Sequence, residues 1–164
     1  MKKHSIILAA LAFAGCQFEA NYKADYRLTK APGSEVRTES EAQTGGLDDW
    51  GQFYQYYAET TPIVDDVNVG VAKLLPGYKA PHPPHKHAEE EYIMVTRGRG
   101  TWYLNGETFP AKEGDILYAR AWDYHGIQSA EDEGLDFVIF KYTGTHHNMP
   151  DDPDPSRPVE IPFP

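Results

Sequence analysis

The chain has 164 residues, with 15 Lys and Arg against 25 Asp and Glu, a net charge of −10, 40% hydrophobic content and a single Cys. That length and apolar content suit one domain with one modest core. The acidic balance speaks against nucleic acid, whose binding is driven by Lys and Arg displacing counterions; one Cys permits no internal disulfide, and no apolar run reaches the roughly 20 residues of a transmembrane helix.

Lys2 and Lys3 precede the apolar run Ile6 to Ala14, which has the length of a signal-peptide core and is too short to span a bilayer. The run ends in Phe13-Ala14-Gly15-Cys16, which resembles a bacterial lipobox, with Phe13 where Leu is usual. This gives residues 1–15 as a signal peptide and Cys16 as the lipidated mature N-terminus. The rival reading is a secreted soluble protein cleaved near Ala14, after Ala12-Phe13-Ala14. The first is preferred because the chain's one Cys sits where lipidation requires it. The expected location is the bacterial cell envelope, in the periplasm or on the cell surface. An acidic domain gains nothing from anionic headgroups, so its contact with the membrane is through the lipid alone.

Residues 16–46 are polar and interrupted by Pro32-Gly33 and Gly45-Gly46. They read as a disordered tether, and thirty residues of flexible coil reach about 30 Å. The folded domain is expected over 47–145. Trp50, Phe53, Tyr54 and Tyr57 fit one face of a short helix or an edge strand, and periodicity does not decide between them. Beyond Pro62 the pattern is short strands with turn signals. Val67, Val69 and Val71 alternate before Leu74-Leu75 and Pro76-Gly77, and Glu91 to Thr96 is closed by Gly98-Arg99-Gly100. Thr101 to Leu104 then meets Asn105-Gly106, the strongest two-residue hairpin signal. Glu113-Gly114-Asp115 precedes Ile116 to Ala119, and Glu133-Gly134 precedes Phe137 to Tyr142. Turns every 8–12 residues without a helical period indicate an all-β antiparallel sandwich or barrel. Residues 146–164 form a Pro- and Asp-rich tail, either extended along the domain or disordered.

His85-Lys86-His87 places two imidazoles at i and i+2, on one face of an extended segment. After the polar break Ala88-Glu89-Glu90, a hairpin would fold Glu91 back beside them, and His125 could complete the set from across a barrel. Three neutral imidazoles and one carboxylate suit a divalent first-row metal and would leave two positions of an octahedral shell open. If Glu91 points inward, so do Ile93 and Val95. His82, Tyr118 and Arg120 are the catalytic candidates. His82 could relay a proton near the mouth, Tyr118 could face either way, and Arg120 in the loop before His125 could hold a carboxylate or phenolate.

His85-x-His87, three residues, Glu91, six residues and Gly98, followed by Gly114-Asp115 with His125 eleven residues after Gly114, resembles the two motifs of the cupins. Arg120 stands where that family has Pro, Trp122 where it has Gly, and Ser129 where it has Asn. The resemblance covers roughly residues 65–143 and implies a single-domain, jelly-roll-like antiparallel β-barrel. It also implies one metal ion (Fe, Mn, Cu, Ni or Zn) bound by His85, His87, Glu91 and His125. The chemistry implied is dioxygenase-type, oxalate-decarboxylase-type (lyase) or sugar/uronate isomerase-type action on a small oxygenated molecule. The alternative is a non-catalytic lipoprotein that binds a metal or small ligand. Partners are therefore a small-molecule substrate or ligand, no nucleic acid, and a second copy in a candidate homodimer through barrel strands.

Overall fold

The computed structural model describes residues 35–45, 49–61, 64–80, 83–144 and 149–164. Cys16, His82, His146 and His147 lie outside them. The described residues form a single all-β domain of eight strands, β1 (Gln43–Thr44), β2 (Gly51–Glu59), β3 (Val64–Leu74), β4 (Glu90–Leu104), β5 (Glu107–Lys112), β6 (Ile116–Ala119), β7 (His125–Ser129) and β8 (Leu135–Gly144). Every pairing is antiparallel, in the order β1-β2-β3-β8-β4-β5, with β6 and β7 also paired to β4.

β4 is one strand where the sequence pattern predicts two. Its first half pairs with β6 and β8, its second half with β5 and β7. Gly98-Arg99-Gly100 is therefore not a turn but the bend at which the strand passes from one sheet to the other. The register shifts between Val95 and Arg97, and Gly98 adopts a φ of 79°, a conformation glycine takes without a Cβ penalty. Sharing one strand between two sheets closes the barrel. Asn105-Gly106 turns β4 into β5 with positive φ at both residues, as a two-residue hairpin of the primed type requires.

In β3 the expected Val67-Val69-Val71 alternation is present, but those valines are half-buried while Gly70, Ala72 and Leu74 face the core. The bare Gly70 makes room for Phe53 of β2, whose ring a Cβ there would overlap. The core itself is built from Leu74, Val95, Trp102, Ile127, Leu135 and Phe137 with smaller residues between. Trp50-to-Tyr57 resolves as strand rather than helix, since β2 pairs with β3 along its length.

Order also begins before Leu47, inside the segment composition assigns to the tether. Gln43 and Thr44 pair with Gln55 and Tyr54 of β2, a 3-10 turn over Glu39–Glu41 is capped by Thr38 and Glu41, and Arg37 bonds Glu59. Backbone pairing and polar contacts hold these residues rather than apolar burial, so hydropathy carries no sign of them.

The tail is extended and lies against the domain. Tyr124 Oη donates to Pro158 O, and the Arg157 guanidinium stacks 4.6 Å over the Tyr124 ring.

Candidate metal centre

Glu91 is the second residue of β4 and 5% exposed; Ile93 and Val95, at 4% and 0%, share its inward face, as strand alternation requires. His125 opens β7 and is 1% exposed, a strand with no turn signal of its own ahead of it in the sequence. His85 and His87 come from residues 83–89, which form a bridged extended segment rather than a full strand. His85 N–H donates to His125 O and His125 N–H to His85 O, both at 3.0 Å, so two ligand candidates are locked side by side through the backbone.

These four residues converge. One donor atom from each of His85, His87, Glu91 and His125 lies within 4.8 Å of the others, and the imidazole centroids are 4.6–5.2 Å apart. Ring orientation is fixed from behind. His87 Nδ1–H donates to Glu89 O at 3.0 Å and His125 Nδ1–H to Asp123 O at 2.8 Å. Carbonyl oxygens only accept, so both rings carry their proton on Nδ1 and turn Nε2 toward the centre.

That arrangement has a consequence for what occupies the centre. His87 Nε2 lies 2.9 Å and His125 Nε2 3.5 Å from Glu91 Oε2. A neutral imidazole whose Nδ1 bears the proton presents a lone pair at Nε2, facing a carboxylate that also only accepts. The contact is stable only with positive charge between them, either protons on Nε2 or a metal ion. His125 Nε2 is buried with no hydrogen bond of acceptable geometry, which is the state of a nitrogen placed to ligate. Burial pushes the Glu91 carboxyl up, but the His125 and His87 imidazoles facing it outweigh burial and hold the group well below its ordinary range. The donor set and its geometry fit a divalent ion.

Of the catalytic candidates, His82 lies outside the described residues, and Tyr118 and Arg120 lie on the surface. Tyr118 faces out of the barrel, since its neighbours Leu117 and Ala119 are buried while it is 41% exposed beside Tyr92. It donates to Glu90 Oε1 at 2.6 Å, which pushes its phenol up to about 12. Arg120 is exposed and engages Asp123 at 3.0 Å. Arg97 pairs with Asp136 and Arg99 with Asp132, so these arginines serve the surface.

Three residues that motif spacing does not reveal support the site. Glu89 holds His87 through its carbonyl, with its carboxylate 3.4 Å from Nδ1. Trp122 takes a φ of 66° where the resembled family has Gly, at a cost of about 1–2 kcal/mol for an L-residue; its N–H donates to His87 O at 2.7 Å. Ser129, in the Asn position, donates to Leu75 O at 2.6 Å and accepts from Tyr78 N–H at 2.9 Å, tying β7 to the turn after β3.

Residues 70–141 match the cupin domain family. A stretch of 64 residues is 28% identical to the HTH-type transcriptional activator RhaR of Mannheimia succiniciproducens and 34% identical to RhaR of Yersinia pseudotuberculosis. It covers 39% of this chain but only 22–23% of theirs, so the chain spans less than a quarter of these relatives' length. Among solved structures, KdgF from Halomonas sp. superposes with a TM-score of 0.54 at 20% identity, covering 66% of this chain and 94% of its own. A predicted oxalate decarboxylase from Thermotoga maritima gives 0.53 at 21%, covering 66% and 99%. The polyketide cyclase RemF from Streptomyces resistomycificus gives 0.54 at 13%, covering 74% and 90%. At these identities the structures share the fold.

Proposed function

From a chain that carries a cupin domain over residues 70–141, we propose a metal-dependent enzyme of the cell envelope that acts on a small oxygenated molecule. The chemistry is of dioxygenase or sugar/uronate isomerase type, at His85, His87, Glu91 and His125. The observation that carries this reading is the convergence of three imidazoles and one carboxylate within 4.8 Å, with Nε2 of His87 and of His125 facing the carboxylate acceptor. A divalent ion held there supplies Lewis acidity and, if redox-active, electron exchange. The protein's own part is to fix the Nδ1 protons on Glu89 O and Asp123 O, to keep Glu91 ionised, and to wall the site with Ile93 and Val95. Apolar walls exclude water and strengthen every charge interaction within. The predicted oxalate decarboxylase and the polyketide cyclase RemF give the enzyme reading its support by analogy of fold.

The second reading, a module that binds a metal or small ligand without turnover, is favoured by the curated relatives, which are transcriptional activators. Elemental analysis of the purified protein, coupled to oxygen-uptake and isomerisation screens against catechols, flavonols, β-diketones and uronates, separates the two. Stoichiometric metal with turnover of one class supports the enzyme. Metal without turnover supports the binding module, and no bound metal after reconstitution removes the enzyme and leaves of the second reading only a small-ligand module.

The envelope location rests on the leader and on Cys16. Expressed in a Gram-negative host, the chain is expected in the membrane fraction with incorporated palmitate, and Cys16→Ser is expected to abolish the label and release the protein. Label retained in the Cys16→Ser chain would refute lipidation there.

A further inference from the structure

We infer that the C-terminal segment 149–164 is a clamp that positions the imidazoles of the metal centre; the inference rests on the metal-binding reading above. Residues 84–86 lie between two neighbours. On one side His85 exchanges both backbone hydrogen bonds with His125. On the other, Lys86 N–H donates to Val159 O at 3.0 Å and Ile161 N–H to Pro84 O at 2.9 Å. The run that carries His85 and leads directly into His87 is thus paired on both edges only because the tail bonds its outer edge. Without the tail, that edge becomes one whose backbone groups turn to water and whose position is loosely set.

Lys86 is the latch. It sits between His85 and His87 and is 2% exposed. Its Nζ donates to Asp152 Oδ2 at 2.7 Å and to Asp154 O at 2.8 Å, with the Tyr124 and Trp122 rings 5.6 and 5.9 Å away, within cation–π range. A buried ammonium that loses its carboxylate is strongly unfavourable, so Lys86 keeps this position only while the tail supplies Asp152. The tail also reaches the loop that leads to His125. Trp122 Nε1–H donates to Pro150 O at 2.6 Å while its backbone N–H holds His87 O, and Tyr124 Oη donates to Pro158 O. All three imidazoles are flanked by tail contacts. Glu91, set by the pairing of β4 with β6 and β8, is not.

The test uses the full-length chain and Co(II) as probe. Asp152→Asn is expected to weaken Co(II) binding by about tenfold or more, the range found when groups that orient ligands are removed. The thermal midpoint of the metal-free barrel is expected to fall as well, because the Lys86 ammonium loses its buried partner; the deciding readouts are the affinity and amide exchange, which should quicken at Lys86, His125 and Ile161 but not in β3 or β8. A merely structural tail would lower the thermal midpoint without this loss of affinity. Lys86→Met, which removes the buried charge instead of its partner, gives the same comparison should Asp152→Asn fail to fold. Affinity within twofold of the parent in whichever variant folds overturns the clamp and leaves the metal centre standing. If the parent binds no Co(II), the metal reading fails by itself. Exchange at His125 then decides the clamp, and an unchanged rate there overturns it.

Discussion

Replacing His87 with Ala is expected to empty the centre of metal while leaving the barrel folded. The ring is half-buried in a segment outside the eight strands and packs against its three partners rather than the apolar core. Its loss removes one nitrogen donor and leaves Glu91 facing only the more distant Nε2 of His125. Metal content of the purified variant should fall to background, with affinity reduced more than about a hundredfold, beyond what loss of an orienting group costs. Any turnover found in the parent should vanish with it. Full metal occupancy in His87→Ala, measured by elemental analysis on protein with native circular dichroism, would sink the assignment of this residue as a ligand.

The largest stability effect is expected at the bend of β4. A Cβ on Gly100 would fall inside the Gln128 carbonyl of β7 and press on Leu135 Cδ1 at 3.0 Å. The atom met is backbone in a paired strand, so no rotamer change relieves it. Gly100→Ala is expected to cost about 3 kcal/mol or more, at or beyond the upper end of overpacking penalties, read as a fall in urea midpoint. Gly98→Ala meets the Gly134 carbonyl in the same way and adds the penalty of a φ of 79°. By contrast, Gly106→Ala, where a Cβ would meet nothing within 4 Å, carries the conformational penalty alone. A Gly100→Ala chain as stable as the parent would show that the Gln128 carbonyl of β7 does not approach β4 at this point.

The contrast between these sites explains what could be read in advance. Strand parity pairs His85 with His87 and puts Glu91, Ile93 and Val95 on one face, whereas His125 joins the candidate set through the resemblance of the two motifs. Asn105-Gly106 is equally legible, since few residue pairs accept positive φ twice. Gly98-Arg99-Gly100 misleads because glycine marks a turn and a strand bend in the same way, and only the neighbours it must clear distinguish them. Tyr118 shows the same limit. Its place relative to the site depends on which strand β6 joins, and pairing with β4 opposite Tyr92 turns it outward.

The amino-acid pattern carried the all-β class and the hairpin at Asn105-Gly106, because both depend on local backbone preference and side-chain parity; the set of four candidate donors came from the resemblance of the two motifs. Tertiary structure alone decided that β4 serves two sheets. It also decided that residues 38–45 join the fold and that Lys86 is buried under Asp152. Each of these is a contact between segments far apart in the chain, held by backbone hydrogen bonds or a single ion pair. Such contacts leave no periodic trace in composition, since polar residues that will be paired look the same as polar residues that face water.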